Sequence, residues 1–347
     1  MLSKSVTIRD VAEQAGVSES TVSRVLSGTK TAVSISQETR QRVLAAAEDL
    51  NYEPHPLARA LRGKGTHLLG VIVREIDDPF FAQLTKAIGN AAKEEGYDLV
   101  LAYAKSDPDE ALALSETLDL RHTDGLLLLG DLKESPEDYT FLAKMAKGHR
   151  VVSVCRGSKQ LVRSTPSVGV DNRKGAFLAL NYLAQLGHRR IACVNAGRVG
   201  DFRERVEAYC EFMSDRLGES YQEYIQLDEN SYEGGYRATE RLLSLPSPPS
   251  AIFAMDDTMA IGALSAASDM GQVVSKDVSI IGFDDIEIAA YLRPALTTVR
   301  QPIENIGKKA VELLLDMIEE KSIPNPLPQL LMEPKLVIRD SCGPPSS

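Results

Sequence analysis

Apolar residues in the first part of the chain recur with the spacing of short α-helices. Val11 and Ala15 give the first helix an apolar side, and Gly16 ends it where a left-handed residue is favoured. Val22 and Val25 then give a second helix its own apolar side. The pattern predicts two short helices that pack together across a tight turn.

Polar residues that favour helix starts precede each of these segments. Thr7 can cap the first helix with Asp10 as its capping-box partner, and Ser18 can cap the second. Ser36 can cap a third helix, whose apolar positions are Val43, Leu44, Ala47 and Leu50. We therefore expect an all-α unit of three helices at the N-terminus.

The second helix has a polar outer face that suits contact with DNA. It carries Glu19, Ser20, Ser23 and Arg24, which are short or forked polar groups able to reach base edges and phosphates. The helix pair therefore predicts a helix-turn-helix whose second helix enters a groove of DNA. A generic helical hairpin would show the same caps and apolar spacing.

From His67 onward, apolar runs alternate with helical stretches. The runs at 68–73 and 126–129 lack polar alternation, as expected of strands buried on both faces. A second series of runs lies at 191–194, 225–227, 251–254 and 278–281. This pattern predicts an α/β body of two doubly wound parallel-sheet subdomains, with a ligand cleft at the carboxyl ends of the strands.

Composition narrows the class of protein. The 347 residues suit two or three domains, and the net charge is −10. Residues 1–65 hold nine Lys/Arg and seven Asp/Glu, so a mildly basic head precedes an acidic body. We expect a cytoplasmic protein without a membrane partner, because no apolar run approaches the roughly 20 residues of a membrane span and no signal peptide is visible.

The sequence offers little support for catalysis or metal binding. The four cysteines lack CxxC spacing and the five histidines form no cluster, so we expect no metal and no cofactor. A GxSxG motif, a P-loop and a GxGxxG motif are missing, which argues against an enzyme. His188 is expected to be structural, at a turn from helix to strand.

Further motifs identify a family. Asn51-Tyr52-Glu53-Pro54 leads into Leu57-Ala58-Arg59-Ala60-Leu61-Arg62, and later landmarks lie at 78–81, 170–172, 186–192, 256–263, 282–285 and 294–302. In this order and spacing, the chain resembles LacI/GalR-family transcriptional regulators (repressors) from about Val6 to Asp340. The resemblance implies a periplasmic-binding-protein-like body in which the chain crosses three times between the subdomains.

The resemblance also implies domain boundaries. We expect a helix-turn-helix headpiece at 1–52, a hinge helix and linker at 53–65, and an effector-binding and dimerisation body at 66–341. Within the body, the N-subdomain would span about 66–166 plus 297–325, and the C-subdomain about 167–293 plus 327–341. The crossings are placed near 165–168, 293–297 and 324–328, where proline-containing segments break the pattern.

Several residues are candidates for DNA contact. The resemblance assigns Arg24 to a guanine, although a phosphate contact would use the same side chain. It assigns Glu19 and Ser20 to the positions that vary the DNA sequence preferred within the family. Glu19 could accept a hydrogen bond from cytosine, or its negative charge could only stabilise the N-terminus of the helix. Leu61 matches a leucine that wedges between minor-groove base steps, with Arg62 beside it in the hinge. The hydroxyl groups expected to bind phosphates or cap helices are those of Thr7, Ser18, Thr21 and Ser23.

Other residues are candidates for a small effector. Asp256 and Asp284 each follow a buried strand, and Arg205 lies in a helix that follows another strand. Two carboxylates and a guanidinium suit a ligand that bears neighbouring hydroxyl groups. Phe80 and Phe81 could face a ring. Gln301 and Asp171 are further candidates, Cys155 stands where the family often has Asp, and Tyr232 could line the pocket or only pack.

Taken together, the residues and the resemblance predict a homodimer on an inverted-repeat operator of double-stranded DNA. It would repress carbohydrate-use genes under control of a small ligand, a sugar. Two alternatives within the family are a global catabolite regulator driven by a phosphocarrier protein and a regulator responding to a nucleobase. A sugar-binding module without a role in transcription would not need the headpiece.

Overall fold

The computed structural model describes residues 6–27, 35–50, 52, 65–73, 76–104, 108–120, 123–130, 150–155, 165–197, 200–217, 222–321 and 326–346. The chain divides into two compact units, Met1–Thr66 and His67–Ser347. The first unit contains the headpiece, and the second is the body.

Three helices form the described headpiece: α1 Ile8–Ala15, α2 Glu19–Ser27 and α3 Gln37–Asp49. The predicted caps are present. Gly16 ends α1 with a left-handed φ of 64°. The Ser18 hydroxyl accepts from the Thr21 backbone N–H at 3.2 Å, and the Ser36 hydroxyl accepts from the Thr39 N–H at the same distance. Local side-chain chemistry therefore sets where these helices begin and end.

The headpiece core is a cluster of small apolar side chains. Val11, Val22 and Val43 are fully buried within it. Leu44, which we placed on the apolar side of α3, is instead 48% exposed, while Ala46 is buried. The correction follows from helix geometry, since positions 43, 46, 47 and 50 share one face at the spacing i, i+3, i+4, i+7, and position 44 lies outside it.

Two six-stranded sheets form the body. The first has the order β11-β5-β4-β3-β1-β2 and is parallel throughout. The second has the order β12-β10-β9-β8-β6-β7, with only β12 antiparallel. The first sheet contains β1 Leu68–Val73, β2 Asp98–Tyr103, β3 Gly125–Leu129, β4 Val151–Val154, β5 Ser167–Val170 and β11 Gln329–Met332. The second contains β6 Ile191–Asn195, β7 Ile225–Leu227, β8 Ala251–Ala254, β9 Ser279–Asp284, β10 Thr297–Arg300 and β12 Lys335–Val337.

Helices cover both faces of each sheet. The described helices of the body are α4 Pro79–Glu94, α5 Pro108–Leu120, α6 Asn172–Gln185, α7 Gly200–Phe212, α8 Tyr232–Leu243, α9 Asp257–Asp269 and α10 Ile303–Ile318. Along β1, Val71 joins the cluster under α4 and Ile72 joins the cluster under α5. This two-sided burial explains the continuous apolar runs and confirms the predicted doubly wound α/β class. None of the described helices has both the length and the apolar character that crossing a bilayer requires.

The three crossings between the sheets lie later in the chain than we predicted. β5 at Ser167–Val170 and β11 at Gln329–Met332 belong to the first sheet, although we assigned both segments to the C-subdomain. β10 at Thr297–Arg300 belongs to the second sheet rather than to the N-subdomain. Each proline-containing segment precedes a final strand of the sheet that the chain is about to leave, so the crossing follows that strand.

The C-terminal segment is docked on the second sheet as far as it is described. The carbonyl of Gly343 lies 2.8 Å from Nε2 of His188, and its N–H donates to the Ser279 hydroxyl at 3.0 Å. Nδ1 of His188 lies 2.9 Å from the Ser250 hydroxyl. His188 is buried and thus joins a helix-to-strand turn, a strand and the C-terminal segment, in keeping with the structural role we predicted.

Candidate functional site

The outer face of α2 remains polar and accessible in the headpiece. Glu19, Ser20 and Arg24 are exposed, while Thr21 and Ser23 are half-buried. This face of the helix therefore carries the forked cation of Arg24 together with acidic and hydroxyl side chains. Such a face presents both donors and acceptors to a binding partner.

Two of the candidate hydroxyl groups take part in helix caps. The Asp10 carboxylate accepts from the backbone N–H and the hydroxyl of Thr7, both at 2.7 Å. The Ser18 hydroxyl lies 2.8 Å from that of Ser20 and 2.9 Å from that of Thr21. These groups thus gather at the starts of α1 and α2, where backbone N–H groups favour an anion. Leu61 and Arg62 lie outside the described residues.

In the body, polar groups from both sheets meet in one cleft. Asp284 ends β9, Asp256 follows β8 and Gln301 follows β10, while Asp78 lies between β1 and α4. The described residues that line the cleft are Asp78, Phe80, Phe81, Asp201, Phe202, Arg205, Asn230, Asp256, Asp284 and Gln301. The cleft holds about 340 Å³ of space, part of it open to solvent. Its position fits the rule that ligands bind at the carboxyl ends of parallel strands.

Arg205 is held from several sides within the cleft. Its Nε donates to Oδ1 of Asn172 at 2.8 Å, and its Nη1 donates to the carbonyl of Met255. The guanidinium lies 3.7 Å above the ring centroid of Phe283 and 3.7 Å from Oδ1 of Asp284. Arg205 is buried, so these contacts replace the water that its charge would otherwise bind.

The carboxyl groups around Arg205 are crowded and poorly hydrated. Burial raises the pKa of Asp284 well above its ordinary value, and the Arg205 charge opposes this rise only in part. Burial likewise raises the pKa of Asp201 and of Asp78, again against the charge of Arg205. A positively charged or hydrogen-bond-donating group in the cleft would therefore stabilise the charged form of these carboxyl groups.

Comparisons with known proteins place this geometry in a family. The profile of bacterial regulatory proteins of the lacI family matches residues 7–55, and that of a periplasmic binding protein-like domain matches residues 180–342. The HTH-type transcriptional repressor CytR of Escherichia coli (strain K12) is 34% identical over 340 residues, which cover 96% of each chain. The chain belongs to the LacI family.

Solved structures agree with this assignment. One match to this LacI-family chain is the Lac repressor dimer bound to operator and the anti-inducer ONPF, with a TM-score of 0.86 and 27% identity, covering 97% of this chain and 99% of that one. Another is a complex of the transcriptional regulator CelR with cellobiose, with a TM-score of 0.71 and 29% identity, covering 97% of this chain and 100% of that one. This LacI-family protein is therefore a DNA-binding transcriptional regulator and not an enzyme.

Most of the effector-site residues named from the sequence of this LacI-family regulator do line the cleft. They are Phe80, Phe81, Arg205, Asp256, Asp284 and Gln301. Asp171 is not among the described lining residues. Its carboxylate accepts from the Lys174 backbone N–H at 2.8 Å and thereby caps α6. Cys155, buried at the end of β4, is also not one of the described lining residues.

Sequence reasoning missed four described residues that line the cleft: Asp78, Asp201, Phe202 and Asn230. Asp78 carried a usable signal, because an acidic cap between a buried strand and a helix is the same pattern that identified Asp256. Asn230 lies in the loop before α8 and carried none. Tyr232 is 47% exposed and is not among the described lining residues. Burial, and after it the charges of Asp78 and Asp256, raise the pKa of its hydroxyl.

Asp257 has a structural role beneath the cleft in this LacI-family regulator. Its Oδ1 accepts from the Thr298 hydroxyl at 2.5 Å and its Oδ2 from the Ile286 N–H at 2.9 Å. Complete burial raises its pKa from 3.8 to about 8. The side chain therefore ties α9 to β10 and to the segment after β9 by hydrogen bonds.

A pH dependence of stability follows from Asp257. Because its pKa is raised on folding, the folded state binds more protons than the unfolded state between about pH 4 and 8. Its stabilising contribution is complete below that window and is lost as the pH rises through it. Asp257→Asn, whose Oδ1 can accept from the Ile286 N–H while its Nδ2 donates to the Thr298 hydroxyl, should weaken this loss by an amount on the order of 1 kcal/mol per pH unit. Urea unfolding of both proteins at pH 5 to 9 would measure it, and parallel pH profiles would contradict the assignment.

Proposed function

We propose that this chain represses carbohydrate-use genes in the bacterial cytoplasm, binding an inverted-repeat operator as a homodimer. A small polyhydroxyl ligand in the cleft of the body sets its affinity for the operator. The observation that carries the proposal is the combination, in one chain, of a capped helix-turn-helix and a body whose cleft gathers buried polar groups from both sheets.

The exposed face of α2 supports the DNA part of the proposal. One short helix reads only a few base pairs, so a second copy related by two-fold symmetry is needed for a long specific site. Arg24 offers a forked donor that matches the O6 and N7 atoms of guanine. The operator-bound Lac repressor, to which this chain is similar, is a dimer.

The chemistry of the cleft supports a ligand rich in hydrogen-bond donors. Carboxyl groups and side-chain amides supply many acceptors, and the aromatic rings of Phe80 and Phe202 supply apolar surface for a ring. Hydroxyl groups on neighbouring carbons can donate to several carboxylates at once. CelR, to which this chain is also similar, is described in complex with cellobiose.

A selection experiment followed by a binding assay tests the proposal. Random double-stranded DNA is selected on the full chain, and the enriched site is expected to be an inverted repeat. Operator affinity is then measured with sugars, nucleobases or a phosphorylated phosphocarrier protein. A shift caused only by sugars supports the proposal. A shift caused only by the phosphocarrier or by nucleobases favours the corresponding alternative, and failure to enrich any site contradicts DNA reading by α2.

Arg24→Ala tests the recognition helix directly. We expect specific operator affinity to fall by about 1–3 kcal/mol, with relaxed preference at one base position in each half-site, because a bidentate contact to a base is lost. Fluorescence anisotropy on the selected operator and on its single-base variants would measure both effects. Arg40→Ala removes the same charge from an exposed position of α3 and serves as the control. An equal loss on every DNA sequence would show that Arg24 contacts phosphate only.

A further inference from the structure

Two acceptor atoms in the cleft have no partner among the described residues. Gln301 is 3% exposed, and its Nε2 donates to Oδ1 of Asp284 at 2.7 Å, whereas its Oε1 makes no hydrogen bond there. The buried Oδ1 of Asn230 likewise makes no hydrogen bond within the described part of the chain. Both side chains line the cleft. A buried acceptor that lacks a donor is unfavourable, so a ligand that donates at these two points is favoured.

Carboxyl groups reach the same space from both sheets. Asp78 lies between β1 of the first sheet and α4. Asp284 ends β9 of the second sheet, Asp256 follows β8 of that sheet, and Asp201 lies in α7, which follows β6. Two of them, Asp78 and Asp256, also cap helices through one oxygen, at 2.9 Å from the Phe80 N–H and 2.7 Å from the Met259 N–H. Carboxyl groups from both sheets therefore border one space, where their charged forms would repel one another.

Arg205 is the only cation among the described lining residues, and two of its N–H groups already donate within the protein. Asn172 and Met255 accept from it, and Phe283 covers one face of the guanidinium. Its charge is thus shared between internal acceptors and Asp284. Four carboxyl groups line the cleft beside this one described cation. The charge of Arg205 lowers the pKa of Asp78, Asp201 and Asp284, but burial raises each pKa by more.

We propose that the ligand of this cleft is a cation, a small polyhydroxyl compound that bears a protonated amine. Resting on the proposed function, this inference narrows the ligand class from neutral sugars to amino sugars and amino polyols. The ammonium supplies the missing positive charge between the carboxyl groups, and hydroxyl groups donate to Gln301 and Asn230. The rings of Phe80, Phe81 and Phe202 suit a cation, because the face of an aromatic ring attracts positive charge. Sugar phosphates and other anions are disfavoured by the same carboxyl groups.

Matched pairs of compounds test the charge separately from the scaffold. Thermal unfolding and calorimetry of the full chain are run with glucosamine and glucose, galactosamine and galactose, and glucamine and sorbitol, with glucose 6-phosphate as the anionic arm. We expect at least one amine to raise the melting temperature and to bind about tenfold or more tightly than its alcohol partner. The preference should weaken with added salt, because the attraction is partly screened.

Asparagine variants assign the preference to particular carboxyl groups. Asp78→Asn and Asp256→Asn keep the helix caps, because Asn is an equally good cap, and each should reduce the amine-to-alcohol preference. Asp171→Asn makes the same chemical change at the cap of α6 and should leave the preference intact. A preference that survives Asp78→Asn and Asp256→Asn would remove these carboxyl groups from the cation site and overturn the proposal.

Two further outcomes overturn the inference. Tighter binding of an alcohol or of glucose 6-phosphate would show that the cleft takes a neutral or anionic ligand, and the proposed repressor function would stand. Absence of stabilisation by every amine would also overturn the inference. The operator assay described above uses DNA and does not depend on this panel, so it judges the proposed function separately.

Discussion

Asp284→Asn should leave operator binding intact and weaken the response of the regulator to its ligand. Asp284 lies at the end of β9, accepts from Gln301 and faces Arg205 at 3.7 Å. Loss of its negative charge removes a charge-assisted hydrogen bond of roughly 1.5–3 kcal/mol, which corresponds to a ligand affinity about 10- to 150-fold weaker. The DNA-contacting face that we propose is on α2, in the other compact unit of the chain.

Asparagine is the appropriate replacement at position 284. The residue has a φ of 115°, a conformation that Asn and Asp tolerate better than other residues with a side chain. Asn also keeps an oxygen that can accept from Nε2 of Gln301. A weakened response to ligand would therefore report on the lost charge and not on a change in the backbone at the end of β9.

Asp171→Asn provides the matched control for this experiment. This variant makes the same Asp-to-Asn change at a residue that follows a strand of the first sheet. The Asp171 side chain caps α6 and is not among the described residues that line the cleft. We expect this variant to respond to ligand as the parent does. If Asp284→Asn responds normally as well, Asp284 does not belong to the ligand site.

Gly262→Ala should destabilise the body strongly. A Cβ atom at this position of α9 would lie 2.0 Å from the carbonyl oxygen of Tyr232 and 2.7 Å from the backbone nitrogen of Tyr236, both on α8. Backbone atoms cannot rotate away, so the two helices must separate. We expect a loss of unfolding free energy at or above the upper end of the roughly 1–3 kcal/mol usual for overpacked cores. Urea unfolding of the full chain, followed by circular dichroism, would measure it.

Gly89→Ala is the control for helix propensity. Gly89 lies within α4, and a Cβ there would meet only a terminal methyl group of Leu99, at 3.4 Å. Alanine should therefore stabilise the chain by about 0.4–1 kcal/mol, because it restricts the unfolded state without a clash. Equal effects of the two substitutions would contradict the close approach of α8 and α9.

The elements that the sequence predicts well are those determined by neighbouring residues. Gly16, Ser18 and Ser36 act on backbone groups within a few positions of themselves, so their caps could be read without a structure. The α/β class followed from uninterrupted apolar runs, because burial on both faces of a strand leaves no polar alternation.

Features that depend on distant contacts were harder to predict. Asp171 and Asp78 both follow buried strands, yet of these two described residues only Asp78 lines the cleft. The order of the strands in the folded sheet decides which strand ends border the cleft. Prolines marked the approach to each crossing but not the strand that follows. The docking of the C-terminal segment required knowledge that His188, Ser279 and Gly343 meet in space.

Coupling between the cleft and the headpiece is the central claim of this account. The most direct test is the dissociation constant of the full chain for its selected operator, measured by fluorescence anisotropy with and without a saturating amount of the amine or sugar that most raises the melting temperature. We predict a change of about 5- to 150-fold in the parent, and a smaller change in Asp284→Asn at the same ligand concentration. An identical dissociation constant with and without a ligand that demonstrably binds the cleft would contradict the account.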